Sequence, residues 1–108
     1  MPYVKEPFRK SLDPAIRELS RSISDLAKSM PDETAFAGLL NYACTSVAMQ
    51  VIDSCFGKIR YGHIATVVGV FKNVADEFYR RVAVPYEETQ IAANGDVPLY
   101  EAYANRRA

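Results

Sequence analysis

Little in this chain invites metal or nucleophile chemistry. It has one histidine, His63, and two cysteines, Cys44 and Cys55, too few for the four ligands of a structural zinc site within one chain. The segment 57–62, GKIRYG, carries Lys58 and Arg60 but lacks the glycine, lysine and hydroxyl arrangement of a phosphate loop. Net charge is missing as well. Thirteen basic and 13 acidic side chains cancel, which argues against broad electrostatic capture of nucleic acid or an anionic membrane. No apolar run approaches the roughly 18 residues that a membrane span requires, and the N-terminus has no signal-peptide core. The expectation is a soluble, cytoplasmic protein with no membrane partner. Internal repeats and low-complexity linkers are absent too.

What is present is ordinary globular material: 108 residues, 49% hydrophobic and 24% charged. That length fits one domain, at the size where a single core can just stabilise a fold. Cys44 and Cys55 fall in what reads as one helix, sharing a face but about 16 Å apart along its axis. A disulfide needs Cα atoms within about 7 Å, so buried, reduced thiols are expected.

Three amphipathic helices account for most of the chain. Residues 1–12 read as a polar arm in which Pro2 and Pro7 oppose a regular helix. Asp13-Pro14 then reads as an N-cap followed by proline at the first helical position. Ile16, Leu19, Ile23, Leu26 and Met30 form a narrow seam of coiled-coil spacing. Asp32 is the next candidate N-cap, opening a helix to about Phe56 with Gly57 as its C-terminal cap. That second helix has no charge from Thr34 to Ile52, so it is read as the centre of a bundle or as a face that meets another subunit. A third helix begins near Tyr61 to His63 and carries Ile64, Val67, Val68, Phe71, Val74, Phe78 and Val82 on one face. Gly69 inside it suggests close helix contact. Pro85 breaks or kinks this helix and opens a shorter one, which Asn94-Gly95 closes. The fold class expected is all-α: a small three- to four-helix bundle, helical over 13–95, with extended arms at 1–12 and 96–108.

The densest chemistry lies between Glu77 and Val97: EFYRRVAVPYEETQIAANGDV. Asp76/Arg80 and Glu77/Arg81 are acid-first pairs at i,i+4 spacing and read as two solvated ion pairs. The alternatives are an anion site, with a guanidinium forked onto phosphate or carboxylate and Tyr79 or Tyr86 stacking beside it, or a protein interface. Asn41, in an otherwise apolar helix, reads as a buried amide paired to a neighbouring helix end such as the Asn94-Gly95 turn, or as a ligand contact. His63 reads as a capping or solvent-facing residue rather than a general base. Glu77, Glu87, Glu88 and Asp96 faintly suggest the magnesium carboxylates of all-α nucleotide pyrophosphohydrolases. Against that reading, Glu87 and Glu88 are adjacent and diverge by about 100° on a helix.

Several motifs resemble a family of small uncharacterised proteins encoded by tailed phages and some prokaryotes. They are Met1-Pro2-Tyr3, Leu12-Asp13-Pro14, Gly38-Leu39-Leu40-Asn41-Tyr42, Gly69-Val70, Glu77-Phe78-Tyr79-Arg80-Arg81, Pro85-Tyr86-Glu87 and Asn94-Gly95-Asp96-Val97. The resemblance covers most of the chain and departs at Gln90, where similar proteins often have lysine. It implies a phage-related origin, hence the host cytoplasm, and no particular mechanism.

The function expected is therefore a non-enzymatic accessory protein of phage type. It would bind a host protein or an anionic small molecule such as a nucleotide through Asn41, Tyr79, Arg80, Arg81 and Tyr86. No catalytic residue, metal or cofactor is assigned. Self-association through the second helix is expected, with a dimer favoured. A magnesium-dependent pyrophosphohydrolase-like enzyme and a structural virion component are the alternatives.

Overall fold

A computed structural model describes residues 2–107, with side chains to Arg106. The fold is all-α, the class expected of a small helical bundle, and the described residues contain no strand. Helices α1 (Glu6–Lys28), α2 (Ala35–Phe56) and α3 (Tyr61–Phe78) are followed by a π-helical turn (Tyr79–Ala83), α4 (Val84–Asn94) and α5 (Pro98–Arg107). The chain divides into two compact units, Met1–Gly69 and Val70–Ala108.

In the first unit α1 and α2 pack together as a hairpin. Helix α1 starts seven residues earlier than Asp13, which corrects the expectation of an extended N-terminal arm over 1–12. Pro7 lies in the first turn, where amides have no intrahelical acceptor, so proline is tolerated there. Pro14, expected to open the helix, is inside it. The seam of α1 is only partly covered: Ile23 and Ala27 are half-buried, whereas Ile16, Leu19 and Leu26 are exposed.

The cap of α2 also differs from its expected form. Thr34 is the N-cap, and Asp32 acts two residues earlier. One oxygen of Asp32, Oδ1, accepts both the Thr34 amide and the Thr34 hydroxyl at 2.9 Å. This Asx-type turn holds the carboxyl of Asp32 below its ordinary value, chiefly through the backbone hydrogen bond from Thr34. At the other end Gly57 has the left-handed conformation expected (φ 67°), and its amide donates to the Asp53 carbonyl at 2.8 Å.

Ile52, at 7% exposure, is the single buried hydrophobic among the described residues. A two-helix hairpin closes only one seam, so the wide apolar surface of α2 stays largely open. Cys44 and Cys55 are free, as expected, but exposed rather than buried. By length and composition α2 is long and apolar enough to cross a membrane, which corrects the expectation that no segment reaches that size.

Helix α3 starts at Tyr61, within the expected range. A Cβ at Gly69 would meet nothing within 4 Å, so this glycine marks no close helix approach. In the second unit the π turn runs directly into α4. The expected extended tail over 96–108 is instead, from Pro98 to Arg107, the helix α5, with proline at the start, where it is best tolerated, and Ala108 lies outside the described residues.

Candidate functional site

Pro85 organises the second unit locally. It has no amide to donate, and in an α-helix its ring would press on the carbonyl of Arg81, four residues back. As expected, α3 is interrupted before Pro85 and a shorter helix, α4, opens with Pro85 in its first turn. The preceding turn widens into a π-helix, Tyr79–Ala83, and the Val84 amide reaches the Tyr79 carbonyl five residues back. A π turn takes up about one extra residue, so positions beyond it are displaced by roughly 100° from α-helical phase.

That displacement creates the contact at the centre of the site. The Tyr79 hydroxyl donates to Oε1 of Glu87 at 2.7 Å. The carboxylate accepting this bond, with its negative charge, raises the phenol above its ordinary value. One turn earlier Arg80 is held by Glu77, an i,i+3 ion pair. This corrects the expected pairing of Asp76 with Arg80 and Glu77 with Arg81. Arg81 makes no ion pair among the described residues and is exposed. Tyr86, next to Glu87, is 64% exposed. Its carbonyl accepts the Thr89 hydroxyl at 2.6 Å.

Asn41 belongs to the first unit, whereas Tyr79, Arg80, Arg81 and Tyr86 belong to the second. Asn41 is exposed, which corrects the expectation of a buried amide. Its carbonyl accepts the Thr45 hydroxyl at 2.8 Å. Asn94, named as a potential partner, donates to Gln90 Oε1 at 3.3 Å instead. Asn41 does line an open groove along α2 with Ala37, Gly38, Tyr42 and Thr45.

Three of the four carboxylates considered for magnesium have protein partners. Glu77 holds Arg80, Glu87 holds Tyr79, and Oδ1 of Asp96 accepts the Val97 amide at 2.7 Å. Among the described residues no three histidine, cysteine or acidic side chains cluster as a metal site would require.

Two contacts were not read from the sequence. Glu87 as the partner of Tyr79 could have been inferred only by anticipating the π turn that Pro85 imposes. The other is a structural lock at the start of α3. His63 Nδ1 accepts the Arg60 amide at 3.1 Å, and the His63 ring stacks on Phe56 with centroids 4.0 Å apart and planes 16° from parallel. This is the half of a capping box in which the N3 side chain accepts the N-cap amide. The capping role expected of His63 is thus the one found.

No curated protein and no solved structure matches this chain. A family model described as a domain of unknown function, DUF6899, matches residues 1–97. With nearly the whole chain covered by that match, the protein belongs to the DUF6899 family.

Proposed function

We propose that this chain is a non-enzymatic accessory protein of phage type that works by binding an anionic ligand, with Arg81 as the principal contact. The observation that carries the reading is the Tyr79–Glu87 hydrogen bond across the π turn. It fixes one side of the turn, while Glu77 takes up the charge of Arg80. Arg81 is left exposed within a few residues of the exposed ring of Tyr86. An exposed guanidinium and an exposed aromatic ring on neighbouring turns suit a phosphate or carboxylate attached to a flat group. Asn41 belongs to the first unit and is not assigned to this site.

The ligand chemistry is shared by a nucleotide and by an acidic stretch of a host protein, and one experiment separates them. Thermal shift is measured on the full chain with mononucleotides, with and without magnesium, and with a short polyglutamate peptide. A ligand at 100 times its dissociation constant adds about 2.7 kcal/mol, which raises the melting temperature of a domain this size by roughly 10 °C. The expected result is a metal-independent shift that Arg81→Ala abolishes. A nucleotide response identifies a small-molecule site, and a response to the peptide alone identifies a protein partner. A shift that requires magnesium, or that survives Arg81→Ala, overturns the reading; in the first case the hydrolase becomes the better account.

A further inference from the structure

Helix α2 presents three distinct sides. Ala35, Leu39, Ala43 and Ser46 are half-buried on one face of the helix, which packs on α1, while Ala48 and the buried Ile52 lie on another. Gly38, Asn41, Tyr42 and Thr45 line an open groove, with Ala37 at its edge. The third side, about 120° round from the α1 face, carries Ala37, Leu40, Cys44, Val47 and Val51, of which Leu40, Val47 and Val51 are 49%, 48% and 54% exposed. Their spacing alternates three, four, three and four. That is the heptad period with which one helix receives another, rather than the broader stripe that fits a sheet or a mixed surface. No charge interrupts it between Glu33 and Asp53, so an uncharged helical seam suits it as a cover. This chain contains such a seam.

The charges at the two ends decide the direction. Asp32 and Glu33 precede α2, and Lys58 and Arg60 follow it; all four are exposed, and none makes an ion pair among the described residues. From these relationships we propose that two copies of this chain pair through the Leu40–Val51 seam of α2, antiparallel, about a two-fold axis between Cys44 and Val47. Leu40 then faces Val51 of the second copy, and Cys44 faces Val47. In this arrangement the acidic turn before α2, Asp32 and Glu33, lies at the same end as the basic turn after α2 of the second copy, Lys58 and Arg60, at both ends. A parallel pair would put acid against acid and base against base. The interface is isologous, as a closed dimer requires. A bilayer is a poorer occupant: α2 keeps Asn41, Thr45, Ser46 and Gln50 along its length and already packs on α1. This surface lies in the first unit and the anion site in the second, so either proposal can fail while the other stands.

Light scattering on the full chain after size exclusion is expected to give twice the 12.1 kDa chain mass. Val47→Glu is expected to give the single-chain mass with helicity retained, and Val47→Leu to keep the dimer. Glu33→Lys should weaken association by about two- to thirtyfold, the range for two symmetric exposed ion pairs. Adding Lys58→Glu should restore it. If Val47→Glu does not fold, Val47→Cys in a Cys55→Ser background decides. Diamide should then join two chains through Cys44 and the introduced thiol, more efficiently than in Cys55→Ser alone. A monomeric wild-type chain, a dimer that survives a folded Val47→Glu, tighter association of Glu33→Lys, no gain in crosslinking, or partition into phosphatidylcholine vesicles would each overturn the proposal.

Discussion

The Tyr79 hydroxyl and the Glu87 carboxylate meet at 2.7 Å although eight residues separate them. In an uninterrupted α-helix such residues diverge by about 80°, but one residue absorbed by a π turn reduces this to roughly 20°. The hydrogen bond therefore depends on Pro85 as much as on the pair itself. Pro85 imposes the π turn, the turn sets the phase, and the phase decides which face Glu87 shares.

The titration of Tyr79 tests this pair. Its phenol is raised by the hydrogen bond to Glu87 and by that residue's charge. A group raised in the folded state stabilises the fold below its unfolded value and loses that contribution as pH rises through the folded value. Alkaline melting should therefore show a loss of stability in the wild type that is absent from Tyr79→Phe. Glu87→Gln should return the Tyr79 ring resonances to an ordinary phenol titration. An unchanged titration in Glu87→Gln would show that the contact is not populated in solution.

Pro14 distinguishes a helix that starts at Glu6 from one that starts at Asp13. Inside α1 proline removes a backbone hydrogen bond and crowds the Lys10 carbonyl, a defect of up to about 3 kcal/mol relative to alanine. Pro14→Ala should thus raise the stability measured by denaturant unfolding by about 1–3 kcal/mol. Were Pro14 the first helical residue, the same change would be neutral or slightly destabilising. Protection of amides 9–13 from hydrogen exchange gives a second readout of the same difference.

How far the sequence could be read depends on the range of the interaction. Periodicity marked α2 and α3, and Gly57 marked the end of α2, because apolar spacing and a left-handed cap are local signals. The starts were misplaced at Pro7 and Pro14 because proline is acceptable in a first turn and merely costly within a helix. Burial was overestimated throughout: the stripes of α1, α2 and α3 were legible, but Ile52 alone is buried among the described residues. A stripe reports that an apolar face exists, not that this chain covers it. At the candidate site Arg80 and Arg81 were placed on one helix correctly, while their partners were assigned from α-helical phase. Glu77 bonds Arg80 rather than Arg81, and the π turn brings Tyr79 to Glu87, neither of which follows from i,i+4 counting.

His63 should prove structural when removed. His63→Ala loses the acceptor for the Arg60 amide and the stack on Phe56. A lost cap and a lost ring pair together cost about 1–2 kcal/mol. His63→Asn restores an acceptor without an aromatic ring and should recover roughly half of that loss. Hydrogen exchange at 57–63 should quicken in both variants, and more in His63→Ala. Equal stability of all three proteins would show that the loop closes without this lock.

Asp32 makes the hairpin turn sensitive to acid. Its carboxylate accepts two hydrogen bonds from Thr34, and its proton affinity is lowered chiefly by the backbone one. A group lowered in the folded state contributes stability above its unfolded value and loses it as pH falls through the folded value. Asp32→Ala should therefore melt below the wild type at neutral pH, and the gap should narrow on acidification as the wild-type carboxyl is protonated. Asp32→Asn keeps a side-chain oxygen without the charge, so its melting temperature should lie between the two and follow the acid limb of Asp32→Ala. The shift is small because the turn is exposed to solvent, so it is best read by the difference between variants across pH. A gap that stays constant through the acid limb would mean that the Asp32 charge does not hold the turn.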